Sequence, residues 1–103
     1  MPSHSTPLTQ SQVKQLRALG HQLKPLVLVG QAGITQGLID ELSSTLEHHE
    51  LVKVRLSGAE REERDAMAKT LSEQTSSSII QRIGHMVLLF RRNPKKTKIT
   101  LTV

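Results

Sequence analysis

Leu26-Val27-Leu28-Val29-Gly30-Gln31-Ala32-Gly33-Ile34-Thr35 is the stretch that decides the fold. Four apolar residues stop at Gly30, a second glycine follows three residues on, and Thr35 opens a segment with helical spacing. The pattern predicts strand, G-x-x-G loop, helix. Glycine admits positive φ and lets backbone approach a partner with no Cβ between them. The helix that follows turns its unpaired N–H groups and the positive end of its dipole toward the loop, which favours an anion. Phosphate is the natural candidate, and a nucleic-acid backbone is its commonest carrier. The loop is neither a P-loop, since Gly30 to Gly37 lacks the Lys-Ser/Thr ending, nor a dinucleotide fingerprint, since no G-x-G occurs. Two glycines three apart also make a plain tight turn, so the surrounding charge decides between turn and anion site.

The 103 residues suffice for one domain with a modest core. There is no cysteine, which excludes a disulfide framework, a zinc–thiolate site and a thiol nucleophile. No apolar run approaches membrane-spanning length, and Met1-Pro2-Ser3-His4-Ser5 lacks the basic-then-apolar pattern of a signal peptide, so a cytoplasmic protein with no membrane partner is expected. The net charge of +5 is unevenly spread. Residues 1–39 carry Lys14, Arg17 and Lys24 with no acid, and residues 74–103 carry Arg82, Arg91, Arg92, Lys95, Lys96 and Lys98 with no acid. All nine carboxylates fall between Asp40 and Glu73, so the three segments sum to +3, −4 and +6. If the two basic ends converge, one side of the domain is basic and the other acidic, the footprint of a polyanion binder. Phe90 is the sole aromatic residue, which excludes a sheet platform of aromatic side chains stacking several bases.

Along the chain, residues 1–8 read as a disordered tail. Thr9 fits a helix N-cap with Gln12 completing a capping box and Leu8 stapling to Val13. Val13, Leu16, Leu19 and Leu23 form the apolar face of this first helix, with Lys14, Arg17, His21 and Lys24 on another side and Gly20 as a stop signal. Pro25 starts the strand Leu26–Val29, whose lack of alternation predicts a strand buried on both faces or an interior parallel one. In the second helix Thr35 caps, Ile34 staples to Ile39, and Leu38, Ile39, Leu42 and Leu46 face inward, with Gly37 allowing close packing. His48-His49-Glu50 ends it. Adjacent helical side chains diverge too far to chelate one ion, so no metal site is expected and the imidazoles suit the dipole. The strand Leu51–Leu56 sets Val52, Val54 and Leu56 on one face and Leu51, Lys53 and Arg55 on the other. Ser57-Gly58-Ala59-Glu60 is another capping-box pattern, opening a third helix to Thr75 with Met67, Ala68 and Leu71 inward and a Glu60–Arg64 pair on its charged face. Ser76–Ser78 is a loop. Ile79–Ile83 and Met86–Arg91 form a hairpin turning at Gly84-His85. Asn93-Pro94-Lys95-Lys96 is a turn, and the alternation of Ile99, Leu101 and Val103 marks either an extra edge strand or a loose tail. The order gives an α/β fold, a small mixed four-stranded sheet with three helices, with parallel pairing across both strand–helix–strand units.

His21-Gln22-Leu23-Lys24-Pro25 followed by Leu26 through Thr35 resembles the signature of the CRM domain (chloroplast RNA splicing and ribosome maturation) in its bacterial stand-alone YhbY form. Glu47-His48-His49-Glu50-Leu51-Val52-Lys53-Val54, and Gly84-His85 through Leu89-Phe90-Arg91, resemble its later blocks, so the likeness covers about residues 9–92 and leaves 93–103 as a basic C-terminal turn with the candidate edge strand. The resemblance implies an RNA-binding domain similar in fold to the C-terminal domain of bacterial translation initiation factor three. Bacterial members are associated with precursors of the large ribosomal subunit, and plant members assist intron splicing. The family's loop is taken to contact RNA, which here is Gly30, Gln31, Ala32 and Gly33. Its two middle residues are often basic or more polar than Gln31-Ala32, so Lys24, Arg91 and their neighbours must supply more of the charge.

Together these readings give a non-enzymatic, cofactor-free, monomeric RNA-binding protein acting on ribosomal RNA in large-subunit precursors. The expected contact set is Lys14, Arg17, Lys24, Gly30, Gln31, Ala32, Gly33, Thr35, Arg91, Arg92, Lys95 and Lys96. Lys24, Arg91 and the loop are expected to share one face, clamping phosphates, with Glu60, Glu62 and Glu63 elsewhere. The rivals are a protein-interaction module built on the acidic helix 60–73 and a nucleic-acid-processing enzyme, for which no nucleophile–base pair or metal cluster is visible.

Overall fold

A computed structural model describes residues 8–97 and 99–101. Thr9 starts the first helix as its sequence predicts: its side chain accepts the Gln12 N–H at 3.1 Å, and Gln12 Oε1 accepts the Thr9 N–H at 3.0 Å. That helix is α1, Gln10–His21. It is followed by β1 (Val27–Leu28), α2 (Gln36–His49), β2 (Leu51–Arg55), α3 (Arg61–Thr75), β3 (Ser78–Ile83) and β4 (Met86–Phe90). Three helices and a mixed four-stranded sheet result, the expected α/β class. Among the described residues no helix is long and apolar enough to cross a membrane.

The sheet order is β1-β2-β4-β3. β1 lies parallel to β2, joined through α2, while β4 runs antiparallel to both β2 and β3. The second expected parallel pair does not form: β2 and β3 point the same way, but β4 separates them. The reason is apolar content. Val87, Leu88, Leu89 and Phe90 are all buried, which demands an interior slot, whereas β3 carries Gln81 and Arg82 and takes the edge. β1 is likewise an edge strand and not the doubly buried one expected. Val27 and Val29 are buried, but Leu26 and Leu28 are 53% and 59% exposed. A bulge at Ile80 shifts β3, so that Ile79 opposes Leu89 while Gln81 opposes Leu88.

Period-two alternation puts one core on each face of this sheet. On one face Val52, Val54, Val87 and Leu89 meet Ile39, Leu42 and Leu46 of α2 and Ala68 and Leu71 of α3. On the other, Leu51, Leu88, Phe90 and Ile80 meet Leu16 of α1. Leu8 and Val13 pack on that second core, together with Ile99 and Leu101. Leu8 therefore belongs to the folded unit; the rest of the expected tail, residues 1–7, lies outside the described residues. No strand forms at 91–97 or 99–101, since Ile99 and Leu101 are used as apolar lids; Lys98, Thr102 and Val103 lie outside the described residues.

Two glycines behave differently from their sequence reading. Gly20 does not stop α1 but sits inside it, buried against the sheet, where an added Cβ would lie 2.2 Å from Leu88 Cδ2. Gly37 supports no close packing; it is exposed, and a Cβ there meets only Thr35 Oγ1 at 3.8 Å. The start of α3 also differs. Its N-cap is Glu60, not Ser57, and the Glu63 carboxylate accepts the Glu60 N–H at 3.0 Å. Both tetrapeptides satisfy the spacing of a capping box, and the extra three residues are needed to turn from β2 into the helix.

Glu50 closes the end of the sheet where β2 begins. It takes φ 64 at the C-cap of α2, a conformation rare outside glycine, and it is fully buried. Its carboxylate accepts hydrogen bonds from the N–H groups of Asn93 and Ile99 and from Arg92 Nη1, and its carbonyl accepts the Arg91 N–H at 2.8 Å. A buried carboxylate is tolerated only with such partners. This cluster fixes the C-terminal segment over the second core.

The two glycines give opposite expectations for alanine. Gly37→Ala should stabilise by about 0.5 kcal/mol through helix propensity. Gly20→Ala should destabilise by about 1 kcal/mol or more, because overpacking against Leu88 outweighs the same gain. Thermal unfolding of the two variants checks both signs; a stabilised Gly20→Ala would refute the tight α1–sheet contact.

Candidate nucleic-acid interface

The loop after β1 lies at the end of the sheet where β1 and β2 finish and the β3–β4 hairpin turns. Strand pairing fixes this: Leu28 is level with Arg55, Arg55 with Met86, and Met86 with Ile83. The Val29 N–H donates to the Arg55 carbonyl at 2.9 Å, anchoring the entry to the loop. Gly33 takes φ +77 and its N–H donates to the Gly30 carbonyl at 3.0 Å, closing a turn. Gln31 and Ala32 at its tip are exposed. A Cβ built on Gly30 or on Gly33 would meet nothing within 4 Å, so the loop stands out into open space. The two glycines are therefore not equivalent. Gly33 is required by its dihedral angle. Gly30 has a negative φ and free room, so nothing inside the protein demands a glycine there.

Thr35 ends the loop and caps α2, its side-chain oxygen accepting the Leu38 N–H at 3.1 Å. The N–H groups of Gln36 and Gly37 precede the first intrahelical bond and face the loop. The first turn of α2 carries no acid, so its positive dipole end is not offset by a local carboxylate. By contrast α3, which starts at the same end of the sheet, has Glu62 and Glu63 in its first turn. Of the two helix starts, only that of α2 is arranged to receive an outside anion.

Charge separates by sheet face, not by chain end. Eight of the nine acids belong to α2, α3 or the α3 cap, the layer on one face, and the ninth is the buried Glu50. The face under α1 carries Lys53 and Arg55 from β2, with Lys14 and Arg17 exposed on α1 itself, and no acid. Several charges of the acidic layer are also committed internally. Asp65 pairs with Arg82, and Arg64 Nη1 donates to the carbonyls of Gly58 and Ala59 at 3.1 and 3.0 Å in place of the expected Glu60 pairing.

Of the predicted contact residues, the structure brings together Gly30, Gln31, Ala32, Gly33 and Thr35. It does not bring Arg91, Arg92, Lys95 or Lys96 to them. Leu51 pairs with Phe90, so residues after β4 leave at the opposite end, roughly 20 Å along the strands from the loop. Lys24 is exposed in the connection between α1 and β1, before Leu26, whose N–H donates to the Lys53 carbonyl at 3.0 Å. The two basic ends do meet, with Leu8 and Val13 beside Ile99 and Leu101 on the second core, but Arg91 lies at the end of the sheet away from the loop, so the expected clamp of Arg91 and the loop on one face does not form. Both arginines there have internal partners. Arg91 donates to Ser43 Oγ, the Ser43 carbonyl and the Thr75 carbonyl and pairs with Glu47, tying β4 to α2 and α3. Arg92 holds Glu50 and the Ile99 carbonyl and lies 5.3 Å from the Phe90 ring centre. Lys95 and Lys96 are exposed, with their N–H groups bonded to the Asn93 side chain. The cation beside the loop is Arg55, absent from the predicted set. Its outward alternation is visible in sequence, but its place next to Leu28 comes from pairing that no local pattern encodes.

Residues 8–91 match the family model of the CRS1 / YhbY (CRM) domain. The chain is 46% identical over 91 residues to a protein of Pseudomonas aeruginosa named a probable RNA-binding protein, covering 88% of each. It is 37% identical over 86 residues to an RNA-binding protein of Haemophilus influenzae, covering 84% of this chain and 87% of that one. The solution structure of a hypothetical Staphylococcus aureus protein, proposed to bind RNA, superposes with a TM-score of 0.80 at 34% identity over 93% of this chain and 100% of that one.

With Arg91 as a structural tie, Arg91→Ala should lower stability by about 2 kcal/mol, since two part-buried backbone carbonyls lose a charged donor. Lys95→Ala with Lys96→Ala should stay within about 0.5 kcal/mol of wild type, as for ordinary surface positions. Denaturant titration separates the two; equal stability of the Arg91 variant would contradict the assignment.

Proposed function

This chain belongs to the CRS1 / YhbY (CRM) domain family, and on that premise we propose that it binds RNA without catalysing a reaction on it. The observation that carries this is the exposed Gly30–Gly33 loop beside an α2 N-terminus free of acids, on the rim of a sheet face that is basic and acid-free. Phosphate oxygens meet the N–H groups of the loop and of the first turn of α2. Arg55 and Lys53 neutralise the neighbouring phosphates, and Lys14 and Arg17 extend the field along α1. Gln31 and Ala32 add no charge, so this loop grips through its backbone. The names of the Pseudomonas and Haemophilus relatives support RNA as the partner.

The RNA we assign is the ribosomal RNA of large-subunit precursors, bound by a cytoplasmic monomer during ribosome assembly. This finer reading is supported by the likeness to the bacterial stand-alone form of the domain, in which one such domain makes up nearly the whole protein. The Pseudomonas relative is covered over most of its length, whereas a chloroplastic group IIA intron splicing facilitator of Zea mays matches over only 14% of its own. Sequencing of RNA crosslinked to the protein in cells should return large-subunit precursor sequence above all other classes; a spread over messenger RNAs would contradict it.

Gly30 offers the cleanest test of the loop. Gly30→Ala should leave the melting temperature unchanged, because the added methyl has free room, yet weaken RNA binding about tenfold by holding a phosphate off the backbone. The wild-type affinity should fall with salt at about 0.7 to 0.9 log units per log unit of salt for each phosphate contacted. A Gly30→Ala protein that folds and binds like wild type would make the loop a plain turn.

A further inference from the structure

One row of the sheet crosses all four strands at the loop end: Leu28, Arg55, Met86 and Ile83, each paired with the next. Alternation puts the row on the face that α1 covers, the face of Leu51 and Leu88. Yet α1 stops short of it. Gly20 seats the helix on Leu88, which is two residues along β4 from Met86. The row is left open: Leu28 is 59% exposed, Ile83 is 64% exposed, Met86 is half-buried, and Arg55 is exposed. Single exposed apolar side chains need no explanation. Three in one line with a guanidinium among them, spanning about 14 Å at the usual strand spacing, make a strip of defined shape.

We propose that this strip is the seat for unpaired bases of the RNA whose phosphates the Gly30–Gly33 loop holds. The inference rests on the RNA-binding reading above and adds a second site to it. Continuity supports it: Leu28 is two residues before Gly30, and the Arg55 carbonyl anchors the strand between them. Charge supports it as well, because the face around the strip has no acid and a polyanion is drawn to it. The chemistry fits an unstacked base. Its flat apolar faces gain from covering Leu28, Met86 and Ile83, and the planar Arg55 guanidinium can stack on a ring or pair with the adjoining phosphate. Elsewhere aromatic side chains provide such a platform; here aliphatic ones do, which is consistent with a chain whose one aromatic ring is buried. Base-paired RNA cannot use the strip, since its base faces are hidden in the stack. The site thus selects single-stranded segments or loops without specifying their sequence.

The test compares three probes of equal length: single-stranded oligouridylate, an abasic oligoribonucleotide that keeps the phosphates and lacks the bases, and a blunt duplex. The protein is used as wild type and as the double variant Leu28→Ser with Ile83→Ser, both exposed positions where folding should be kept and is checked by melting temperature. Wild type should bind oligouridylate about tenfold more tightly than the abasic strand, the factor expected for burying two aliphatic side chains against bases. The double variant should lose most of that preference, keeping at most the part due to Met86 and Arg55, with duplex affinity unchanged. Wild-type protein that does not distinguish the strands, or a variant with the full wild-type preference, overturns the strip while leaving the loop intact. A variant altered only in self-association makes the strip a contact between copies and likewise overturns it. Absence of salt-dependent binding to all three probes overturns the RNA reading itself, and the strip with it.

Discussion

The pleat of β2 is the constraint on which the rest depends. Its five residues, Leu51–Arg55, lie between β1 and β4, and successive side chains must point to opposite faces. Val52 and Val54 go to the face covered by α2 and α3, which carry the surface acids. Leu51, Lys53 and Arg55 go to the other, where α1 covers Leu51 and leaves Arg55 open. A one-residue slip would bury Lys53 and Arg55 and expose two valines, so the register is strongly held. Because β1 pairs parallel to β2, the same register sets Leu28 beside Arg55 and delivers the chain into the Gly30–Gly33 loop at that level. The anion-receptive loop and the acid-free face are two consequences of one alternation.

The opposite end of the sheet is organised by a different economy of charge. Glu50 is buried where α2 passes into β2, and Arg92, Asn93 and Ile99 satisfy its carboxylate. Arg91 spans from β4 to both α2 and α3. These cations are spent on tertiary structure, and they hold the C-terminal segment against the second core, where Ile99 and Leu101 lie. A basic cluster in sequence is therefore partly structural in space. What reaches solvent as positive charge is smaller than the chain ends suggest, and it is free of neighbouring acids on the α1 side, where Lys14, Arg17 and Arg55 are exposed.

Features made by neighbours in sequence were legible. The caps at Thr9 and Thr35, the inward stripe of α2, the alternation of β2 and the Gly84-His85 turn all depend on spacings of two to four residues, and each is found in the structure. The α/β class followed from their order. Features made by distant pairing were not. That β4 takes the interior slot, that β1 is an edge, and that Arg91 departs at the end away from the loop all follow from the strand order, which spacing does not encode. Glu50 read as the last residue of a helix because its partners lie more than forty positions away. Gly20 read as a stop because a helix-ending glycine and a packing glycine look alike until the opposite surface is known. The loop residues of the candidate site were found, since the glycine spacing is local; Arg55 was missed as a site residue, since its nearness to the loop is not.

The central claim is that RNA is held at the rim of the α1 face at the loop end. Backbone amide chemical-shift mapping by NMR, with structured RNA carrying a single-stranded segment titrated into the labelled protein, tests it most directly. The account predicts that perturbed amides concentrate in residues 28–37, around Arg55 and in the hairpin at 83–86, with the outer face of α3 and residues 91–97 unmoved. Perturbations centred on Arg91 to Lys96, or on the acidic helix, would contradict it.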